Sequence, residues 1–255
     1  MSDMTQDEKD AEIKRLTKQI QENAEKNEMP KEAPQRNVKT EGQLFFGPYV
    51  SLCKVHDSLI TGLLNRGEKL DKGTANYDLA GHLVDQRRYT REDKEWFIRE
   101  FKPYVDWYVR GALEWSGQQM RPEVHTTSFT LMDVWINYMK QHEVNPEHTH
   151  GGQVSWVIFC KNPDIKKEQQ RFEGRSPPPG SIVFLYGEPQ HPRWANHTFD
   201  YQPQENYMWM FPAQLRHQVL PFHTEGTRIT VSGNLYFNAP GTPDAISDKP
   251  NSLNK

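Results

Sequence analysis

From about Ser128 onward the chain changes rhythm, and that change limits its fold more than any other feature. Short runs of strand-forming residues fall at 129–140, 153–160, 181–186, 207–211, 217–222 and 227–238. Turn residues separate them at Asn145-Pro146, Gly151-Gly152, Pro177 to Gly180 and Glu225-Gly226. Many short strands with Gly, Pro and Asn between them predict an antiparallel sandwich or jelly roll. No internal repeat is evident.

The residues before this run read differently. Gln43 to Val55 predicts a first strand, and a helix follows from about Asp57 with Leu59, Ile60, Leu63 and Leu64. Arg66 to Gln86 is punctuated by Gly, Asp and Asn and reads as a loop. Thr90 to Asp93 is a capping-box variant, with Asp in place of Glu or Gln. It opens a helix whose apolar face holds Phe97, Phe101, Tyr104, Val105, Tyr108 and Ala112. Pro103 predicts a kink, and the apolar face predicts packing on a sheet. One domain over 43–240 results, with a helical layer to about 127 and a β-core from about 128.

Residues 1–42 contain no aromatic side chain and many charges, which predicts a charged helical or disordered tail. Ile13, Leu16 and Ile20 would place a thin apolar stripe on a short helix, a possible route to self-association. Residues 241–255 read as a flexible tail. Net charge is −3, so no nucleic acid is expected as an obligate partner. Cys53 and Cys160 cannot make a disulfide framework, which favours a reducing, cytoplasmic setting. The N-terminus has no apolar signal segment, and no apolar run is long enough to span a bilayer, so no membrane is expected.

Two histidines, His148 and His150, stand at i and i+2, so on a strand they share a face. They sit between two turn signals, where ligands at a strand end reach a barrel mouth. His217 enters another strand far away in sequence. Three imidazoles from two strand ends would suit iron, copper, zinc or nickel. An isolated pair of this kind is more often an ordinary surface feature. The context of His217 and Arg228 favours a metal site. In 228–236, alternation puts Arg228, Thr230, Ser232, Asn234 and Tyr236 on one face, opposite Ile229, Val231 and Leu235. That polar face would suit a barrel interior that binds a carboxylate, since Arg pairs bidentately with one and Thr230 adds a hydroxyl. Trp135 and Asn137 share a face with Tyr138 opposite. Parity alone does not say which side lines the site.

Three segments, 145–159, 211–222 and 228–234, together resemble the Fe(II)/2-oxoglutarate-dependent oxygenases of phages, cyanophages among them. These are prolyl-hydroxylase-like enzymes on a double-stranded β-helix. The resemblance covers roughly 43–240. It implies a mainly β fold, jelly roll and cupin-like, with supporting N-terminal α-helices. It implies Fe(II), with 2-oxoglutarate and dioxygen as co-substrates. Hydroxylation of a substrate that the sequence does not identify would then release succinate and CO2. It makes His148 the first ligand, His217 the distal histidine and Arg228 the holder of the far carboxylate. Thr230, Ser232, Asn234 and Asn137 are the other candidates for co-substrate binding. A phage origin would place the protein in a host cytoplasm.

The superfamily carries Asp or Glu where this chain has His150. Three readings stay open: a three-histidine site, a His148–His217 pair with His150 outside it, or Gln153 as an amide oxygen ligand. A cupin-like three-histidine enzyme without 2-oxoglutarate is the alternative activity. A non-catalytic metal-binding phage module is the third class. Tyr186 to Gln204, with His191, Arg193, Trp194, His197 and Tyr201, reads as a lid over substrate. His56, His82, His125, His142 and His223 read as structural or exposed.

Overall fold

The computed structural model describes residues 6–26, 47–117, 128–171, 174, 176–187 and 197–247. Two compact units divide the chain, Met1–Phe45 and Phe46–Lys255. The first holds α1 (Gln6–Lys26), on which Ile13 and Leu16 are exposed and Arg15 pairs with Glu12. The side chain of Ile20 lies outside the described residues. Among the described residues no helix is long and apolar enough to cross a membrane.

In chain order, the second unit begins with β1 (Ser51–Lys54), α2 (Asp57–Gly67), β2 (Gln86–Arg88) and α3 (Arg91–Trp115). The β-core follows as β3 (Phe129–Lys140), β4 (Asn145–His148), β5 (Val154–Lys161), α4 (Lys166–Gln169) and β6 (Ile182–Leu185). It closes with β7 (Thr198–Tyr201), β8 (Tyr207–Pro212), β9 (Arg216–Val219), β10 (Thr227–Phe237) and β11 (Ala245–Ile246). A seven-stranded sheet has the order β1-β8-β5-β10-β3-β11, with β2 also on β3. A four-stranded sheet has the order β4-β9-β6-β7. From β3 onward the chain passes back and forth between the sheets, and the pairs within the β3–β10 core are antiparallel. This winding is a double-stranded β-helix, the fold expected from the sequence.

Strand alternation sorts the side chains into two cores. Trp156 and Ile158 of β5 join Val134, Ile136, Val231 and Leu235 in a cluster with α2 and α3. Val157 and Phe159 instead meet Ile182, Phe184, Trp209 and Phe211 between the sheets. The helix face read from sequence lands as expected, with Phe97, Phe101, Val105 and Tyr108 all buried. Phe101 lies 4.5 Å and Phe97 5.8 Å, ring to ring, from Trp156. Burying each such ring contributes about 1.5–3 kcal/mol. Gly233 of β10 admits nothing larger, because a Cβ there would lie 2.2 Å from the Trp156 ring and 2.6 Å from the Asp133 carbonyl oxygen. The helix continues through Pro103 to Trp115.

Four differences from the sequence reading have physical causes. Asn145-Pro146, read as a turn, instead begins a strand, because among the described residues β4 pairs only with β9 and an edge strand tolerates proline. The strand expected over 217–222 stops at Val219, just before Pro221. Strand β7 falls inside the stretch read as a lid. Its residues are largely exposed and pair on one side only, so no apolar signal marked it. Finally, β11 forms in the supposed tail, where it occupies a free edge of β3. Of the first strand, 43–46 lie outside the described residues, as do 188–196 and 248–255.

Thr90 caps α3: its hydroxyl accepts from the Asp93 backbone N–H at 3.2 Å, and the Asp93 carboxylate accepts from the Thr90 N–H at 3.1 Å. Replacing Thr90 by Ala should lower unfolding free energy by about 1 kcal/mol in a urea titration, with the slope unchanged.

Candidate metal centre

His148 and His217 stand directly opposite each other across the β4–β9 pair. Their ring centroids are 4.3 Å apart. The Nδ1 of each donates to a backbone carbonyl two residues earlier, His148 to Pro146 at 2.6 Å and His217 to Leu215 at 2.8 Å. That bond fixes the tautomer, with the proton on Nδ1 and the lone pair on Nε2. His150 lies just past the end of β4. Its backbone N–H donates to Ala213 at 2.8 Å, Gln214 donates to its carbonyl at 2.9 Å, and its ring sits beside Trp135. Its Nε2 is 3.2 Å from that of His217. One ligand atom from each of the three rings lies within 4.8 Å of the others.

Burial holds these imidazoles neutral. It drives His217 down to about 3, assisted by the charge His148 would carry. It drives His150 well below its ordinary value, with His217 and His148 adding to the effect. It lowers His148 as well, against the opposing bond to Pro146. Three neutral, converging nitrogen donors fit a first-row transition metal.

The pocket beside them continues along β3 and β10. Its wall includes Trp135, Asn137 and Met139 from β3 and Arg228, Thr230 and Ser232 from β10. The parity left open by the sequence is thus resolved: Tyr138 packs toward the helices instead. Arg228 is 1% exposed, and among the described residues none of its three guanidinium nitrogens has a hydrogen-bond partner. Its carbon lies 5.2 Å from the centre of the Phe222 ring. Burial alone pulls its pKa down to about 10. Gly180, at φ +74°, leaves room for the guanidinium, since a Cβ there would lie 2.5 Å from one of its nitrogens.

Two expected site residues are placed elsewhere. Gln153 is engaged elsewhere: its side-chain oxygen accepts from the Phe237 N–H at 2.7 Å, locking β10 to the start of β5. Asn234 shares the polar face and is fully buried, yet it lies beyond the pocket wall. His142 and His223 are outside the pocket and face each other, Nδ1 to Nδ1, at 2.8 Å. His125, His191, Arg193 and Trp194 fall outside the described residues. The cysteines are free, and burial pushes the Cys160 thiol up to about 12. The sequence reading missed Leu83, Phe222, Gly180 and Gln86. Only the Pro-Pro-Pro-Gly turn was visible as a local signal, and nothing in it pointed to Arg228.

Residues 133–234 match the family model described as "Putative 2OG-Fe(II) oxygenase". That segment contains all three histidines and Arg228. No curated protein is similar in sequence. Among solved structures, the chain is similar to a prolyl-4-hydroxylase from Pseudomonas putida, at 11% identity over 74% of this chain and 92% of that one, TM-score 0.44. A 2OG-Fe(II) oxygenase family oxidoreductase from Burkholderia pseudomallei aligns at 11% identity over 78% and 88%, TM-score 0.48. HygX from Streptomyces hygroscopicus, with nickel, 2-oxoglutarate and hygromycin B bound, aligns at 12% identity over 72% and 82%, TM-score 0.43.

The geometry separates the open ligand sets. His150→Ala should lose Fe(II) or Mn(II) affinity as severely as His148→Ala, while Gln153→Ala should keep it. Isothermal titration under argon checks this. A loss at His150 of only ~10–100-fold, beside abolition at His148, would remove His150 from the ligand set.

Proposed function

We propose that this protein is a 2OG-Fe(II) oxygenase that holds Fe(II) on His148, His150 and His217 and binds the far carboxylate of 2-oxoglutarate on Arg228. The observation that carries the reading is Arg228 itself. A guanidinium buried without a partner pays a large desolvation penalty, and a carboxylate reverses it through paired, charge-assisted hydrogen bonds. Thr230 and Ser232 stand on the same wall. Each can add a hydroxyl donor.

Fe(II), when bound, supplies the redox chemistry that couples dioxygen and 2-oxoglutarate to substrate hydroxylation, with succinate and CO2 as the other products. The protein's part is positional. The backbone bonds to Pro146 and Leu215 aim two imidazoles. Arg228 sets how deep the co-substrate sits. Met139, Leu83, Val219 and Ile182 line the same pocket with apolar surface that keeps water out.

A three-histidine set leaves the full double positive charge on the metal, where a carboxylate would cancel one unit. A dianionic co-substrate compensates for that difference. The phage-type resemblance of 145–159, 211–222 and 228–234 supports action in a host-cell cytoplasm. The stripe of Ile13, Leu16 and Ile20 supports self-association through α1. Asn137 takes part through Thr230 rather than by direct contact.

Arg228→Ala should weaken 2-oxoglutarate roughly tenfold to a few hundredfold, the worth of a charge-assisted pair. Arg228→Lys should recover little, because an ammonium lacks the planar fork. Fe(II) affinity should stay near wild type in both. Anaerobic titration of the Fe(II) protein with 2-oxoglutarate, read by visible absorption, measures the first effect. Wild-type protein that binds iron and shows neither the absorption band nor succinate release with oxygen would overturn the reading in favour of a three-histidine enzyme with another co-substrate.

A further inference from the structure

We infer that Gln86 is a positioning residue for the co-substrate: acting through Asn137, it fixes the hydroxyl of Thr230 as a hydrogen-bond donor into the pocket. The inference rests on the assignment of Arg228 to 2-oxoglutarate. Gln86 lies on β2, outside the residues that match the oxygenase family, and is 1% exposed. It stands opposite Asn137, and Asn137 stands opposite Thr230, in successive strand registers. The Gln86 Nε2 donates to Asn137 Oδ1 at 2.8 Å. Asn137 Nδ2 donates in turn to Thr230 Oγ1 at 3.1 Å.

Direction follows from valence. Asn137 turns its Oδ1 to Gln86, so its amide nitrogen, on the other side, is the atom that meets Thr230. Thr230 Oγ1 therefore spends a lone pair on Asn137 and keeps its own hydrogen free. That hydrogen turns toward the pocket that Thr230 lines together with Arg228. A carboxylate accepts and cannot donate, so only this polarity welcomes it. Reversing both amides would make Thr230 donate to Asn137 and present lone pairs to an anion. It would also bury the Gln86 amino group where now only its Oε1 lacks a partner. A buried unmet donor is rarer than a buried unmet carbonyl. The backbone of Gln86 is pinned on both sides, its N–H by Asn76 Oδ1 at 2.9 Å and its carbonyl by the Ala75 N–H at 3.0 Å.

The test is a double-mutant cycle on the full chain with Fe(II) bound. Gln86→Met keeps the side chain's length and removes the donor. It should weaken 2-oxoglutarate roughly twofold to tenfold, the range of one neutral hydrogen bond. Gln86→Glu, once ionised, can only accept, so it should turn the relay round and weaken binding further. Thr230→Val removes the hydroxyl altogether. In that background neither change at Gln86 should cost anything more. In uncoupled turnover, KM for 2-oxoglutarate should rise while the rate of succinate release at saturation holds. Iron affinity, followed in parallel on folded protein, should stay near wild type.

Equal losses with and without the Thr230 hydroxyl would overturn the relay, as would wild-type affinity in Gln86→Met. If Gln86→Glu fails to fold, the Gln86→Met arm decides alone. Wild-type protein that holds iron but binds no 2-oxoglutarate would instead fail the Arg228 assignment, and the relay with it.

Discussion

An unpaired guanidinium buried inside a protein is among the least favourable groups a fold can contain, and this one is arranged around it. Arg228 is covered by Phe222, and the absent side chain of Gly180 makes space for it. Among the described residues none hydrogen-bonds to it. Folding alone gains nothing from such an arrangement, since an apolar residue there would be cheaper. An anion in the pocket would offset that cost through charge-assisted hydrogen bonds. The same pocket wall carries Thr230 and Ser232, whose hydroxyls suit the same guest.

The metal side of the pocket uses a different device. His148 and His217 are aimed by the same local bond, Nδ1 to the carbonyl two residues back, on two strands that face each other. A short strand pair thus sets two imidazoles with one geometry. His150 is held otherwise, by its backbone on Ala213 and by the Trp135 ring. An imidazole at this position brings no negative charge of its own to the three-histidine cluster. The deep burial that keeps all three rings neutral is what lets them converge without repelling one another as cations.

Much of this was legible in the sequence because local rules decided it. Period-two alternation placed Arg228, Thr230 and Ser232 on one face, and β10 keeps that face through its whole pocket segment. The capping box and helical spacing located α3 and its buried side. What failed depended on partners distant in sequence. Strand β4 contains a proline and β7 is exposed, so pairing rather than propensity makes them strands. Gln153 looked available as a ligand until β10 claimed its side-chain oxygen. Asn234 obeys the alternation, yet the pocket ends before reaching it. Gln86 gave no signal at all, because its importance comes from the register of β2 against β3.

That register has another consequence. Strand β3 is long, and on the side away from β10 it would present a bare row of amides and carbonyls. Two short strands divide this edge between them, β2 at Trp135 to Asn137 and β11 at Thr130 and Leu131. One precedes the β-core in the chain and the other follows it. Both the Ser247 N–H, onto Leu131, and the Lys94 ammonium, onto the Ser247 carbonyl, hold the later piece down. An uncovered strand edge is a template for pairing with other chains. A shortened protein ending near residue 240 would keep all three clustered histidines and still expose half of that template. Its failure would be seen as clumping in solution rather than as lost chemistry.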